Sequence, residues 1–293
     1  MVRYTLMWEI QTIKVDDYPA LLHEIPDPPT ELWGVGVLPP PQLKLIAVVG
    51  SRKYTRYGKE VVSALINDLA DAPVGIISGL AIGIDTLAHE AALANGLYTL
   101  AIPGSGLDPS VLYPRRNQRL ARRIVEQGGG LLSELSPDTK AARWTFPQRN
   151  RLMAGISHAT LLIEASERSG TLITARLAAD YNRDVLAVPG SIFSPQSVGT
   201  NQFIQLGATP ITSGRDILAE LGLSIDTPTT SHTPELTELE SKVLNLLADP
   251  HDLDSLQQAT GLPVTELGSL LMRLELHDLI WSDRGHYQQK NRT

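Results

Sequence analysis

The feature that most constrains the fold is a regular alternation of short apolar runs with helical stretches, which begins at Lys44. Strands that are apolar throughout are covered on both faces, and this requires a parallel sheet flanked by helices. The sequence therefore predicts the α/β class, with an extended, Rossmann-like, doubly wound, mostly parallel sheet over residues 44–222. The predicted strands are 45–49, 74–78, 98–102, 130–134, 160–164 and 184–188. The predicted helices are 58–70, 84–94, 115–127, 147–155, 171–182 and 199–206.

The flanking regions have different compositions. Residues 1–43 are rich in proline and lack sustained periodicity, so they are interpreted as a lead-in segment packed on the main domain. Residues 223–234 have almost nothing to bury and are predicted to be a linker. Residues 235–293 show three helical patterns, near 235–248, 253–259 and 264–277, and then a strand pair at 279–282 and 286–288. This order predicts a small C-terminal winged-helix-like domain.

The charge distribution favours a polyanion on one part of the chain. The formal net charge is -7, yet residues 114–151 hold nine basic residues against three acidic ones, a net charge of +6. Residues 234–293 carry a net charge of -5, and the third helical pattern has Arg273 against Glu266 and Glu275. Phosphate neutralisation dominates nucleic-acid affinity, so the acidic balance argues against duplex reading by the C-terminal domain and favours a protein contact or a structural role there.

Cysteine is absent, which excludes disulfides, cysteine-ligated zinc and thiol catalysis. The N-terminal residues do not form a secretory signal, and no apolar run approaches the roughly 18 residues of a membrane span. We therefore expect a cytoplasmic protein without a membrane partner.

A basic, aromatic segment at 143–151 contains the residue types that grip a nucleic-acid strand. Arginine supplies a fixed charge and a planar donor fork for phosphate, and an aromatic ring offers a face for a base. The alternative is a solvated helix start with Phe146 in the core. The candidate binding residues of this segment are Arg143, Phe146, Arg149, Asn150 and Arg151.

Two turns at strand ends are candidate phosphate seats. Gly50, Ser51 and Arg52 follow the first predicted strand, where backbone amides can cradle an anion, although a glycine kept for a tight turn is the alternative. The three spaced glycines of a dinucleotide site are missing, so no nicotinamide cofactor is expected. Residues 169–171 (Ser169, Gly170 and Thr171) present hydroxyls and amides at a helix start, which plain helix capping would also use.

Asp85 and His89 lie four residues apart and share a predicted helix face. They could form a metal pair or an acid–base pair. The favoured interpretation is that Asp85 caps or orients a turn and His89 is a satisfied buried group, because no further ligand cluster is visible. We expect no metal and no cofactor.

Together these motifs resemble the DNA-processing protein A family (DprA, also called Smf), over about residues 18–220. The matching stretches are Gly50-Ser51-Arg52 with Tyr57-Gly58, Ser78-Gly79-Leu80-Ala81 with Gly83-Ile84-Asp85 and Ala88-His89, Pro103-Gly104-Ser105-Gly106 with Tyr113-Pro114, Phe146-Pro147 with Arg149-Asn150-Arg151, Ser169-Gly170-Thr171, and Gly199-Thr200-Asn201 with Gly207-Ala208.

The resemblance implies a Rossmann-like homodimer that binds single-stranded DNA and loads the RecA recombinase onto it during natural transformation, without catalytic activity. It implies a strand-binding pocket formed by Arg52 and residues 146–151, with residues 169–171 beside it. Arg143 stands where family members often have lysine, so the charge is kept. Many members carry a helical domain before the Rossmann unit, which this chain is expected to lack.

Two other functions remain open. Nucleoside-monophosphate hydrolases resemble the region of Ser169-Gly170-Thr171, but their Pro-Gly-Gly run and following glutamate are not matched here, so the acid for N-glycosidic chemistry is not in place. A pure interaction scaffold would not bind nucleic acid at all.

Overall fold

The computed structural model describes residues 8–167, 169–223, 237–276, 279–283 and 286–289. The chain forms two compact units, Met1–Ile225 and Asp226–Thr293. Within the described ranges, no helix combines the length and the apolar character needed to cross a membrane.

The first unit contains nine strands and seven helices within its described residues. The strands are β1 (Gln11–Ile13), β2 (Leu32–Gly36), β3 (Lys44–Val49), β4 (Val74–Ser78), β5 (Tyr98–Ala101), β6 (Gly130–Ser133), β7 (Ala159–Leu162), β8 (Asp184–Ala187) and β9 (Thr209–Pro210). The helices are α1 (Arg56–Asn67), α2 (Ile84–Ala94), α3 (Gln118–Glu126), α4 (Thr145–Ile156), α5 (Thr171–Asp180), α6 (Val198–Gln205) and α7 (Gly214–Glu220). Short 3-10 turns cover Val15–Asp17, Ala20–Glu24 and Arg115–Asn117.

The strands form one sheet in the order β1-β2-β6-β5-β4-β3-β7-β8-β9. Every neighbouring pair from β6 to β9 is parallel, whereas β1 and β2 pair antiparallel. The predicted doubly wound, mostly parallel sheet is thus confirmed. The chain winds outward from β3 through β4 and β5 in one direction and returns through β7 and β8 in the other, so the topological switch point lies between β3 and β7.

Two strands come from the segment in which no strand was predicted. Strand β2 contains two glycines and lies between proline-rich stretches, and β1 has only three residues, so neither shows a run long enough for a pattern to be seen. Strand β9 and helix α7 were also missed, since they are short. The six predicted strands and six predicted helices are present, with bounds shifted by up to three residues.

Apolar side chains cover both faces of the sheet. On one face Val62 and Leu65 of α1 pack with Ile84 of α2 and Ile217 of α7. On the other face, residues of the N-terminal 3-10 turns, α4, α5 and α6 form a second cluster, which includes Leu22, Leu152, Leu172 and Phe203. This double coverage explains why the central strands are apolar throughout.

The second unit contains α8 (Glu238–Leu246), α9 (Leu253–Thr260), α10 (Val264–Leu276) and a three-stranded antiparallel sheet. Its strands are β10 (His251–Asp252), β11 (Ile280–Asp283) and β12 (His286–Gln289), in the order β10-β12-β11. The winged-helix prediction is confirmed, and the two-residue strand β10 is an addition to it. The core contains Val243, Leu256, Leu270 and Ile280. Most of the predicted linker and residues 284–285 of the predicted hairpin turn lie outside the described residues.

Candidate nucleic-acid interface

A cleft of about 470 Å³ opens at the carboxyl ends of β3 and β7, at the switch point of the sheet. Ligands of doubly wound proteins bind in this crevice. Nine of the eleven candidate residues line it, and Arg143 and Arg151 do not. Those nine are Gly50, Ser51, Arg52, Phe146, Arg149, Asn150, Ser169, Gly170 and Thr171.

The loop after β3 is held in place by a buried carboxylate. Glu164, which follows β7, accepts hydrogen bonds from the Thr55 amide at 2.9 Å and from the Thr55 hydroxyl at 2.5 Å. Thr55 in turn caps α1 by accepting from the Gly58 amide at 3.2 Å. Gly50 packs directly on Ile84, since a Cβ at Gly50 would lie 2.6 Å from that side chain. These contacts fix the backbone that carries Arg52.

Arg52 and Phe146 form the wall of the cleft. The Arg52 guanidinium carbon lies 5.3 Å from the centre of the Phe146 ring, a distance typical of a cation–π contact. The edge of the ring meets Tyr113, with 6.0 Å between ring centres. A Cβ at Gly104 would lie 2.5 Å from the ring, so the absence of a side chain at Gly104 is what leaves room for the Phe146 ring. Phe146 is half-buried and lines the cleft, and it belongs to none of the core clusters.

Arg149 is buried beside the cleft and is held by backbone. Its Nη1 donates to the Ile102 carbonyl at 2.6 Å, and its guanidinium fills the space above Gly79. Burial lowers the pKa of Arg149, and the negative charge of Asp85 opposes that shift. The Nε atom is buried and has no hydrogen-bond partner among the described residues.

Asp85 orients the turn after β4, as the sequence indicated. Its Oδ2 accepts from the amides of Gly79 at 3.1 Å and Ala81 at 3.3 Å. Burial raises the pKa of this carboxyl, while Arg149 and the two amides oppose the shift. His89 is fully buried and its Nδ1 lies 2.7 Å from the Thr99 hydroxyl, but its Nε2 has no hydrogen-bond partner among the described residues, so the predicted satisfied group is satisfied at one nitrogen only. Desolvation lowers the pKa of His89 to about 3, so the ring is neutral at physiological pH.

The start of α5 forms the opposite wall. The Ser169 hydroxyl accepts from the Thr171 amide at 3.2 Å and donates to the Thr171 hydroxyl at 2.9 Å. Backbone carbonyls in the same turn accept from the amides of Ser169, Leu172 and Ile173. Capping within the turn thus uses most of these donors. The Gly170 amide has no partner among the described residues, and a Cβ at Gly170 would meet nothing within 4 Å.

Arg151 and Arg143 lie apart from the cleft. Arg151 forms an ion pair with Glu134 and donates to the Asp27 carbonyl at 2.8 Å, and its side chain is 13% exposed. These contacts tie α4 to β6 and to the N-terminal segment. Arg143 is exposed in the turn before α4. The predicted site is therefore smaller than the sequence segment that suggested it.

Several lining residues were missed by sequence reasoning. Lys53 adds a second cation beside Arg52, and Gln196 comes from the loop after β8. Tyr113 lies against Phe146 and borders a cavity of about 40 Å³, which is too small for a base. Lys53 directly follows the predicted site residue Arg52, so including one more residue of that turn would have found it. No sequence pattern around Gln196 points to a binding role.

Comparison with known proteins shows which family the chain belongs to. The sequence model described as DNA recombination-mediator protein A matches residues 9–222. The chain belongs to this family. The model of the DprA winged helix domain matches residues 227–286, which identifies the second unit. The resemblance inferred from the motifs is confirmed.

Individual members of the family are similar over most of the chain. Protein Smf of Escherichia coli is 37% identical over 94% of this chain and 76% of its own length. The DNA processing protein DprA of Streptococcus pneumoniae is 44% identical over 70% of this chain and 71% of its own.

Two solved structures are also similar. The X-ray structure of the S. pneumoniae protein has a TM-score of 0.67 over 72% of this chain and 74% of that chain, with 41% identity. DNA processing protein A from Helicobacter pylori has a TM-score of 0.65 over 73% of this chain and 96% of that chain, with 29% identity; its structure is described as showing a single-stranded DNA binding mode.

Proposed function

We propose that this chain is a recombination mediator that binds single-stranded DNA in the cleft, protects incoming DNA in the cytoplasm during natural transformation, and loads the RecA recombinase onto it. The observation that carries the proposal is the pairing of Arg52 with Phe146 in the wall of the cleft at the switch point. A fixed cation and an aromatic face at one place suit a strand whose bases are unpaired.

The chemistry of the lining favours a single strand over a duplex. Arg52, Lys53 and the buried Arg149 supply positive charge, while the Gly170 amide and the Ser169 hydroxyl supply neutral donors or acceptors. Cations and amides bind phosphates without regard to sequence, and Phe146 accepts any base. Binding is therefore nearly indifferent to base sequence and weakens as salt rises. The H. pylori protein, whose structure shows a single-stranded DNA binding mode, supports the same ligand.

The carboxylates near the cleft do not favour catalysis. Among the lining residues that the structure describes, Asp85 carries the carboxylate, and its Oδ2 accepts from two backbone amides. Glu164 is committed to Thr55. A nucleoside-monophosphate hydrolase needs a carboxylate free to activate water or protonate a leaving group. We therefore propose a binding protein without catalytic activity. Release of ribose or ribose phosphate from AMP by the purified protein would overturn this part of the proposal.

The first experiment is a titration of fluorescently labelled oligothymidylate, followed by anisotropy, with a matched duplex as competitor. The wild-type chain should bind the single strand, and the duplex should compete poorly. Phe146→Ala should weaken binding about 30-fold, which is the middle of the range for one stacked base, and Arg52→Ala should weaken binding through the loss of a phosphate contact.

Arg123→Ala is the matched control, because Arg123 is an exposed arginine that does not line the cleft. The end of α3 that is nearer the cleft is marked by Asn117, which donates to the Leu80 and Ala81 carbonyls. Arg123 lies in the last turn of α3, about 9 Å along the helix from Asn117 and away from the cleft. Binding that all three variants share with the wild type would refute the cleft as the site.

Loading of RecA requires a second assay. The wild-type chain should shorten the lag before RecA assembles on a strand coated with a single-stranded-DNA-binding protein, and Arg52→Ala should not. The proposed homodimer is tested by sedimentation of the same preparation. If the chain binds the strand but does not change RecA assembly, the proposed protection of DNA stands and the proposed loading of RecA is refuted.

A further inference from the structure

Two large apolar side chains stand out in solvent on the turn after β8. Ile192 is 80% exposed and Phe193 is 87% exposed, the two highest values among the large apolar residues that the structure describes. They lie at the centre of Ser191–Ser194, which we name the Phe193 turn. Contiguous exposed apolar side chains can mark an interaction site, and Ile192 and Phe193 are neighbours in the chain, so this turn is a candidate interaction surface.

The turn is rigidly fastened although its tip is bare. Ser194 donates to the Ser191 carbonyl at 3.0 Å, and the Phe193 amide donates to the Ser191 hydroxyl at 3.3 Å. The Asn201 side chain bonds both the amide and the carbonyl of Gly190, at 3.2 and 3.0 Å. A ring held out by ordered backbone loses little conformational freedom when it binds, which favours affinity.

The loop that carries the turn is continuous with the cleft. Gln196, three residues after Phe193, lines the cleft, and its carbonyl accepts from the Ala165 amide at 2.8 Å. On the other side, the Tyr57 hydroxyl donates to the Pro189 carbonyl at 2.7 Å. Three residues of chain span at most about 10 Å, so the Phe193 backbone lies within that distance of the cleft wall.

The sequence around the Phe193 turn is uncharged, so it neither attracts nor repels a polyanion. The thirty residues from Val185 to Gly214 contain no charged side chain and no histidine, in a chain whose net charge is -7. An acidic neighbour on this stretch would repel phosphates, and none is present there. A ligand that touches this turn would therefore gain stacking and lose no electrostatic energy to it.

We propose that the Phe193 turn is a second stacking site, on which a base of the single strand packs where the strand leaves the cleft beside β8. The inference rests on the proposed function, since the strand must first occupy the cleft. It assigns the occupant by continuity with the cleft and by the lack of charge. Phe193 is mostly solvent-exposed, so substitutions there leave the core intact.

The test compares Phe193→Leu, Phe193→Trp and Arg52→Ala with the wild-type chain, with an oligothymidylate of about 20 nucleotides, long enough to extend past a single small site. Leucine keeps an apolar side chain and removes the ring, so Phe193→Leu should weaken binding about five- to tenfold, and Phe193→Trp should keep or improve it. The effect should be the same at 50 and at about 200 mM salt, since stacking releases no counterions, whereas the effect of Arg52→Ala should shrink as salt rises.

Each outcome decides a separate point. Wild-type affinity in Phe193→Leu, with weak binding by Arg52→Ala, would overturn the second site and leave the proposed function standing. A wild-type chain that binds no oligothymidylate would remove the proposed function itself. A change in sedimentation of Phe193→Leu without DNA would assign the turn to a second copy of the chain and overturn the proposal.

Discussion

The salt dependence of strand binding distinguishes basic residues that contact phosphates from basic residues that were predicted to do so but lie outside the cleft. Among the residues that the structure describes, three cations line the cleft: Arg52, Lys53 and Arg149. For single strands the slope of log affinity against log salt is about -0.7 per neutralised phosphate, so three contacts predict a slope of about -2.1. Affinity should then fall about 18-fold between 50 and 200 mM salt. Arg52→Ala should reduce the slope to about -1.4 and the fall to about sevenfold.

Arg151→Ala is the sharp comparison, since both arginines were predicted phosphate ligands. Arg151 is paired with Glu134 outside the cleft, so its removal should leave the slope unchanged. It should instead destabilise the first unit by about 2 kcal/mol, because a largely buried carboxylate loses its cation, and lower the Tm by about 4–8 °C. Anisotropy at four salt concentrations and calorimetry measure the two effects. A slope flattened by Arg151→Ala, or a wild-type slope steeper than about -4, would refute the three-cation cleft.

Three further predictions address the supports of the site. Gly104→Ala should weaken strand binding about as much as Phe146→Ala in the anisotropy titration, because the added methyl would lie 2.5 Å from the Phe146 ring and displace it, and retained wild-type affinity would contradict that reason. Glu164→Ala should lower the free energy of unfolding by about 3 kcal/mol in urea titrations, since the Thr55 amide and hydroxyl lose a charged acceptor, while Glu164→Gln should lose less. The folded pKa of His89 is about 3, below its unfolded value, so the unfolded chain binds the extra proton and stability falls as the pH drops below about 6.5. Between pH 7 and 5 this residue should account for a loss of about 2 kcal/mol, which His89→Gln should abolish in urea titrations; an equal loss in the variant would exclude His89 as its source.

The central sheet and the position of the cleft could be predicted because they depend on local patterns. Buried parallel strands are apolar along their whole length, and the turns at their carboxyl ends meet at one edge of the sheet. Gly50-Ser51-Arg52 and Ser169-Gly170-Thr171 each follow a strand that ends at this edge, so their proximity follows from the topology. Strand β2 depends on pairing with β6, a distant segment, and β1 depends on pairing with β2, so no local periodicity predicts either strand.

The division of the basic segment between cleft and scaffold follows from helix geometry. Arg149 and Arg151 are two residues apart in α4, so their side chains leave the helix about 200° apart and cannot both face one cleft. The predicted helix over 147–155 already contained this constraint. The sequence alone did not show which arginine turns inward, because the answer depends on Glu134, which follows β6, and on Asp27 in the N-terminal segment. Those two carboxylates hold Arg151, and the opposite face of α4 then places Arg149 beside Asp85 and leaves Phe146 against Arg52 in the cleft.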